Sequence, residues 1–172
     1  MAKAVIATIG EDRPGIVNEL SQIVHEMNLN IDDSRMTVLG GEFAVLMSVT
    51  GGSVSLEMLE TRIKELAEAS GLAYLFRLTT ERDTGEVVAC RATVEAMDHP
   101  GIVHTIAGFF SERGINIQAL ETQTERAAHT GTPIFNLVIT VELPVAMDIV
   151  QISDEFYTFC DERNLDGTLQ AP

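Results

Sequence analysis

Asp12 and Asp98 open the same word, Asp-x-Pro-Gly-Ile-Val, in "EDRPGIVNEL" and "MDHPGIVHTI", 86 positions apart. Each aspartate is followed 18 residues later by an asparagine and an isoleucine, Asn30-Ile31 and Asn116-Ile117. Both words stand where a strand gives way to a helix, and a helix N-terminus presents unpaired N–H groups and a positive dipole end that favour an anion such as a carboxylate. Gly15 and Gly101 place no side chain between a ligand and that backbone. Asp12 and Asp98 can accept hydrogen bonds from an ammonium, and each asparagine offers both a donor and an acceptor. Together these groups suit a small zwitterion, an amino acid. The same residues also serve as a helix cap, a Pro-Gly turn and a turn-satisfying asparagine, so the chemistry leaves a ligand site and a purely structural use both open.

No other constellation competes with this one. His99 and His104 are five residues apart and lack a third ligand, so no metal site is expected. His25 reads as a solvated helix residue, and His129 lies in a loop. Cys90 and Cys160 fall on apolar faces, where cysteine behaves as a small hydrophobe. Asp32-Asp33 and Asp161-Glu162 are ordinary acidic pairs, and no phosphate-binding glycine loop or nucleophile elbow occurs. No catalytic residue, metal or cofactor is expected.

Composition narrows the partners. The 172 residues hold 11 Lys and Arg against 26 Asp and Glu, a net charge of −15, which repels nucleic acid and anionic lipid. No apolar run is long enough to span a membrane, "MAKAVIATIG" does not read as a signal peptide, and the two cysteines follow no disulfide pattern. A cytoplasmic protein is the expectation.

The repeat also fixes the architecture that must position the doubled word. At the same offset Leu20 meets Ile106, Ile23 meets Phe109 and Val24 meets Phe110, so apolar positions coincide. Phe43 meets Phe135 six residues late, which places an insertion within "TERAAHTGTP", 124–133, read as a loop. Two domains follow, 1–80 and 87–172, with a linker at 81–86. In each, periodicity predicts strand, helix, strand, strand, helix, strand. In the first these are a strand over 3–9, a helix from Pro14 to about Met27, two strands within 31–50 broken at Gly40-Gly41, a helix over about 56–70 and a strand over 73–79. In the second they are a strand near 88–94, a helix from about Pro100 to Arg113, strands near 116–124 and 134–142, a helix over about 145–164 and a short last strand at "GTLQ". This is an α+β plan with helices on one face of an antiparallel sheet.

That order, with "DRPGIV" before the first helix and "NI" after it, resembles the ACT domain, a small-molecule-binding regulatory module of ferredoxin-like fold. The whole chain resembles a tandem pair, and "NIDDSRMTVLGGEF", "GTPIF" and "SDEFYTFCDERNLD" are similar to a narrower group of two-module regulators. The resemblance implies a non-enzymatic regulator that binds a small amino acid, with glycine the expected ligand, where two modules meet. It further implies control of glycine cleavage genes by contact with a transcription factor rather than with DNA. The contacts it carries over are Asp12, Gly15, Ile16, Val17, Asn30 and Ile31, and then Asp98, Gly101, Ile102, Val103, Asn116 and Ile117. Serine-sensing members have a histidine where Gly10 and Ala96 stand, and an asparagine in place of Asp12 and Asp98, so serine binding in that manner is not expected. A separate regulatory subunit of a metabolic enzyme, or a scaffold with degenerate sites, are the alternative readings.

One asymmetry bears on assembly. Val5, Ala7 and Ile9 occupy the places of Arg91, Thr93 and Glu95, so the outer face of the first sheet is the more apolar one. Coverage of that face, by the other module or by a second copy in a homodimer, is the expectation.

Overall fold

A computed structural model describes residues 2–80, 85–126 and 131–171. The chain divides into two compact units, Met1–Arg82 and Asp83–Pro172. Residues 81–84 of the expected linker, and His129, lie outside the described residues. The first unit runs β1 (Ala2–Glu11), α1 (Ile16–Glu26), β2 (Asn30–Leu39), β3 (Glu42–Gly51), α2 (Ser53–Ser70) and β4 (Ala73–Thr79). The second repeats it as β5 (Val87–Met97), α3 (Ile102–Glu112), β6 (Asn116–Arg126), β7 (Pro133–Pro144), α4 (Ile149–Asp161) and β8 (Asp166–Gln170). Each is the expected βαββαβ unit. The sheets are ordered β2-β3-β1-β4 and β6-β7-β5-β8, and every neighbouring pair is antiparallel.

The elements follow from the patterns that announced them. Gly40 and Gly41 both have positive φ, 62° and 95°, which a tight hairpin between β2 and β3 requires. Gly71, in the left-handed region, closes α2. Along β1 the residues Ala4, Ile6 and Thr8 face the core, and Ile16, Leu20, Ile23 and Val24 of α1 cover them. In the second unit Cys90, Ala92 and Val94 lie under Ile102, Ile106, Phe109 and Phe110.

The two cores are built differently. In the second, Phe109, Phe110 and Phe156 meet with ring centroids 5.1–5.3 Å apart, while Phe159 tilts against Phe109 at 5.0 Å. In the first, Leu20, Ile23, Leu59 and Ile63 fill the space with aliphatic groups. Gly167 of β8 makes the aromatic layer possible, because a Cβ there would lie 2.9 Å from Cys160 Cβ and 3.3 Å from a Phe156 ring carbon. Gly167→Ala is therefore expected to destabilise the second unit by about 1–3 kcal/mol, measured by denaturant titration.

Several boundaries differ from expectation, and α2 begins at Ser53, three residues before its expected start. α1 and α3 begin at Ile16 and Ile102, two residues beyond the prolines expected to start them. α4 is shorter than the 145–164 expected, since Asp148 caps it by accepting from the N–H groups of Val150 and Gln151, and Asn164 already has φ 57°. The insertion near 124–133 is partly strand, for β6 runs to Arg126 and β7 starts at Pro133. No helix among the described residues is long and apolar enough to cross a membrane.

The outer face of the first sheet carries Ile9, Leu46 and Leu75, each about half exposed in the single chain. At the matching level of the second sheet, Arg91 and Glu95 are exposed and Thr93 is half-buried. The contrast read from the sequence is thus present on the folded surface.

Candidate functional site

The doubled word folds into the same turn twice. Gly15 has φ 103°, ψ −16° and Gly101 has φ 99°, ψ −5°, close to the third position of a type II turn, for which proline is favoured just before. A residue with a Cβ is strained there by about 1–2 kcal/mol. This explains Pro-Gly without any ligand: the proline ends the strand's exit and the glycine turns the chain into the helix. Ile16 and Ile102, each 2% exposed, then pin the helix start to the core. Val17 and Val103 point outward, about 40% exposed.

The aspartates are not helix caps. Neither helix start receives a side-chain cap bond, and among the described residues no hydrogen bond or ion pair engages the carboxylate of Asp12 or Asp98, in contrast to Asp148. Their backbones are tied down instead: Asp12 N–H donates to Gly41 O and Asp98 N–H to Pro133 O, each at 3.1 Å. The first helical bonds run from Glu19 N–H to Gly15 O and from Thr105 N–H to Gly101 O, both 2.9 Å. Ahead of them the N–H groups of Ile16, Val17 and Asn18, and of Ile102, Val103 and His104, have no acceptor within their helices. Each turn therefore follows, within four residues, an aspartate whose carboxylate no described group engages, and leads into a row of donors.

The turns differ in what lies over them. In the first copy Arg13 donates two hydrogen bonds to Glu19, at 2.7 and 2.6 Å, and a third to Ser70 at the end of α2, at 3.2 Å. The hydrogen bonding raises the Arg13 pKa and lowers that of Glu19. In the second copy His99 and Thr105 take those places, and a cavity of about 450 Å³ opens, lined by His99, Gly101, Ile102, Val103, His104 and Phe135.

The asparagines lie at the other end of each unit. β1 climbs to Asp12, α1 returns, and Asn30 starts β2 opposite Thr50, at the level of Lys3. Asp12 follows Glu11, which pairs with Glu42. Eight strand residues thus separate the two levels, about 25 Å at strand spacing. The second unit repeats this, with Asn116 opposite Glu142 and Asp98 following the Met97–Ile134 pair. One small ligand cannot touch the turn and the asparagine of the same unit. The structure brings Asp12 together with Gly15, Ile16 and Val17, and Asp98 with Gly101, Ile102 and Val103, but it sets Asn30-Ile31 and Asn116-Ile117 apart.

Each asparagine has a carboxylate partner. Asn30 donates to Asp32 at 2.9 Å, as does the Thr50 hydroxyl, and these bonds, with Lys3 3.7 Å away, hold the Asp32 carboxyl below its ordinary range. Asn116 donates to Glu142 at 2.7 Å. Beside Asn30 lies an open depression of about 740 Å³ bordered also by Leu29, Thr50 and Gly52. Both copies shift strand register just after the asparagine, between Ile31 and Asp33 and between Ile117 and Ala119.

Among the described residues no cluster of three or more His, Cys, Asp or Glu side chains could hold a metal ion. Cys90 and Cys160 are buried; burial raises both thiols, Cys160 to about 11. Neither should react with a thiol reagent at pH 8 until the chain unfolds. Because the folded Cys160 keeps its proton longer than the unfolded one, its contribution to stability is intact below about pH 9 and is lost as pH rises towards 11. Rapid labelling of the native protein would contradict this placement.

Two βαββαβ units, each a four-stranded antiparallel sheet with two helices, define a tandem ferredoxin-like class of protein. The chain belongs to the ACT-domain family, whose profiles match residues 3–77 and 91–155. It is 28% identical over 168 residues to the glycine cleavage system transcriptional repressor of Escherichia coli (strain K12), covering 97% of this chain and 88% of that one. A UPF0237 protein of Methanopyrus kandleri is 39% identical over 74 residues, 42% of this chain and 82% of its own. A crystal structure assigned to a glycine cleavage system transcriptional repressor superposes with a TM-score of 0.76 at 27% identity, covering 99% of this chain and 97% of that chain. A protein of unknown function from Galdieria sulphuraria shares the fold at TM-score 0.85 and 24% identity. This is a regulatory ACT-domain protein, not an enzyme.

Proposed function

We propose that the protein senses a small amino acid, glycine foremost, and controls transcription of glycine cleavage genes by binding a transcription factor. The observation that carries the ligand is the doubled turn, in which an aspartate whose carboxylate no described group engages precedes free helix N–H groups. The ligand's ammonium meets Asp12 or Asp98, and its carboxylate meets the N–H groups of Ile16 and Val17 or of Ile102 and Val103. Gly15 and Gly101 allow the approach. A small amino acid suits the limited room at such a turn. A ligand held there reaches Asn30-Ile31 or Asn116-Ile117 only when another module supplies them.

The relative's name supports a role in transcription, and the charge of −15 favours a protein partner over DNA. Binding would favour one arrangement of the protein while the partner prefers another, so ligand and partner oppose or assist each other through that equilibrium. The test is capture from cell extract with the purified protein as bait, with and without glycine. Recovery of a transcription factor in a glycine-dependent manner is the expected result; recovery of a metabolic enzyme would make the chain an enzyme's regulatory subunit instead. The cytoplasm is the compartment this activity requires. The apolar face around Ile9, Leu46 and Leu75 is the surface for a homodimer, and Leu46→Lys is expected to lower the mass found by sedimentation.

A further inference from the structure

Resting on the reading of the doubled turn as an amino-acid site, we infer that the two copies are unequal: the first is closed by the chain's own Arg13–Glu19 ion pair, and the second is the one that binds. The pair lies across the bare side of Gly15. A Cβ placed on Gly15 would have Glu19 Oε1 3.5 Å away and the Arg13 guanidinium nitrogen 3.8 Å away, whereas a Cβ on Gly101 would meet none of the described residues within 4 Å. Glycine at position 15 is thus open in the backbone but not in space.

The pair is also built to stay. Arg13 and Glu19 are joined by two parallel hydrogen bonds, the geometry that makes guanidinium–carboxylate contacts strong and directional. Ser70 fixes the guanidinium from the end of α2. Each side chain is a little over one-third exposed, so the pair lies partly against the protein. Chemically, the first copy already holds a carboxylate and a cation at its turn, the two groups that an amino acid would bring. A zwitterion arriving there must displace a bidentate ion pair before it gains any contact.

The second copy lacks both members. His99 directs Nδ1 to the Pro100 carbonyl at 3.1 Å, Thr105 replaces the glutamate, and the space beside Gly101 is the cavity that reaches Phe135. Repetition of the word Asp-x-Pro-Gly-Ile-Val therefore preserves the backbone turn in both copies, while residues 13 and 19 decide whether a ligand can use it.

Calorimetric titration of the full chain with glycine tests this. The wild-type protein is expected to bind one glycine per chain, with affinity falling tenfold or more in Asp98→Ala. The double variant Arg13→His/Glu19→Thr, which carries the residues of the second copy, is expected to bind two, and Glu19→Gln serves where the double variant fails to fold. Two glycines per wild-type chain, loss of wild-type binding in Asp12→Ala, or a single site in the opened variants would overturn the inference while leaving the turn as the binding site. No glycine bound by any variant would overturn the functional reading, and this inference with it.

Discussion

Phe156→Ala should lower the stability of the second unit by about 3–5 kcal/mol. The ring is fully buried in a cluster of apolar residues, 5.1 Å from Phe109 and 5.3 Å from Phe110, so truncation leaves an apolar cavity. A loss of that size is a large fraction of what a domain of this length holds. Because each unit has its own core cluster, hydrogen exchange should show the damage locally. The amides of Leu137 and Ile139 are expected to lose protection, while those of Ile6 and Val45 keep it. Equal loss in both units would mean that they unfold as one cooperative body. A loss below 1 kcal/mol would mean that the aromatic layer is not the centre of the core.

The second large effect separates binding from folding. Asp98 makes no side-chain hydrogen bond or ion pair among the described residues, so Asp98→Ala should change stability by less than about 0.5 kcal/mol. A charge-assisted contact to a ligand ammonium contributes roughly 1.5–3 kcal/mol, so the same substitution should weaken amino-acid binding by about ten- to a hundredfold. Titration with glycine and denaturant unfolding of the same preparation read the two quantities. If stability falls instead and binding is unchanged, the aspartate is structural.

Much of the fold could be read from residue order. The repeat announced two units, alternation in β5 named its buried face, and Gly40-Gly41 located a hairpin whose torsions require glycine. Helix starts were harder, because Pro-Gly suits both a first helical turn and the middle of a type II turn. The observed φ near 100° at Gly15 and Gly101 decides for the turn. The site was legible in part. Eighteen residues separate Asp12 from Asn30 because α1 and its flanking turns carry the chain to the far end of the unit, so closeness in pattern became distance in space. The Arg13–Glu19 pair depends on two long side chains six residues apart, and a single sequence holds no signal of their rotamers. Comparison of the copies does show the swap to His99 and Thr105, but only the fold reveals that these positions flank Gly15 and Gly101.

Amino-acid binding at the repeated turn is the property on which the proposed regulation depends. Amide chemical shifts recorded while glycine is added to the full chain address this most directly. The largest changes are expected at Gly101, Ile102 and Val103, with little movement along α4. Absence of any shift at saturating glycine, or shifts confined to residues remote from both turns, would contradict it.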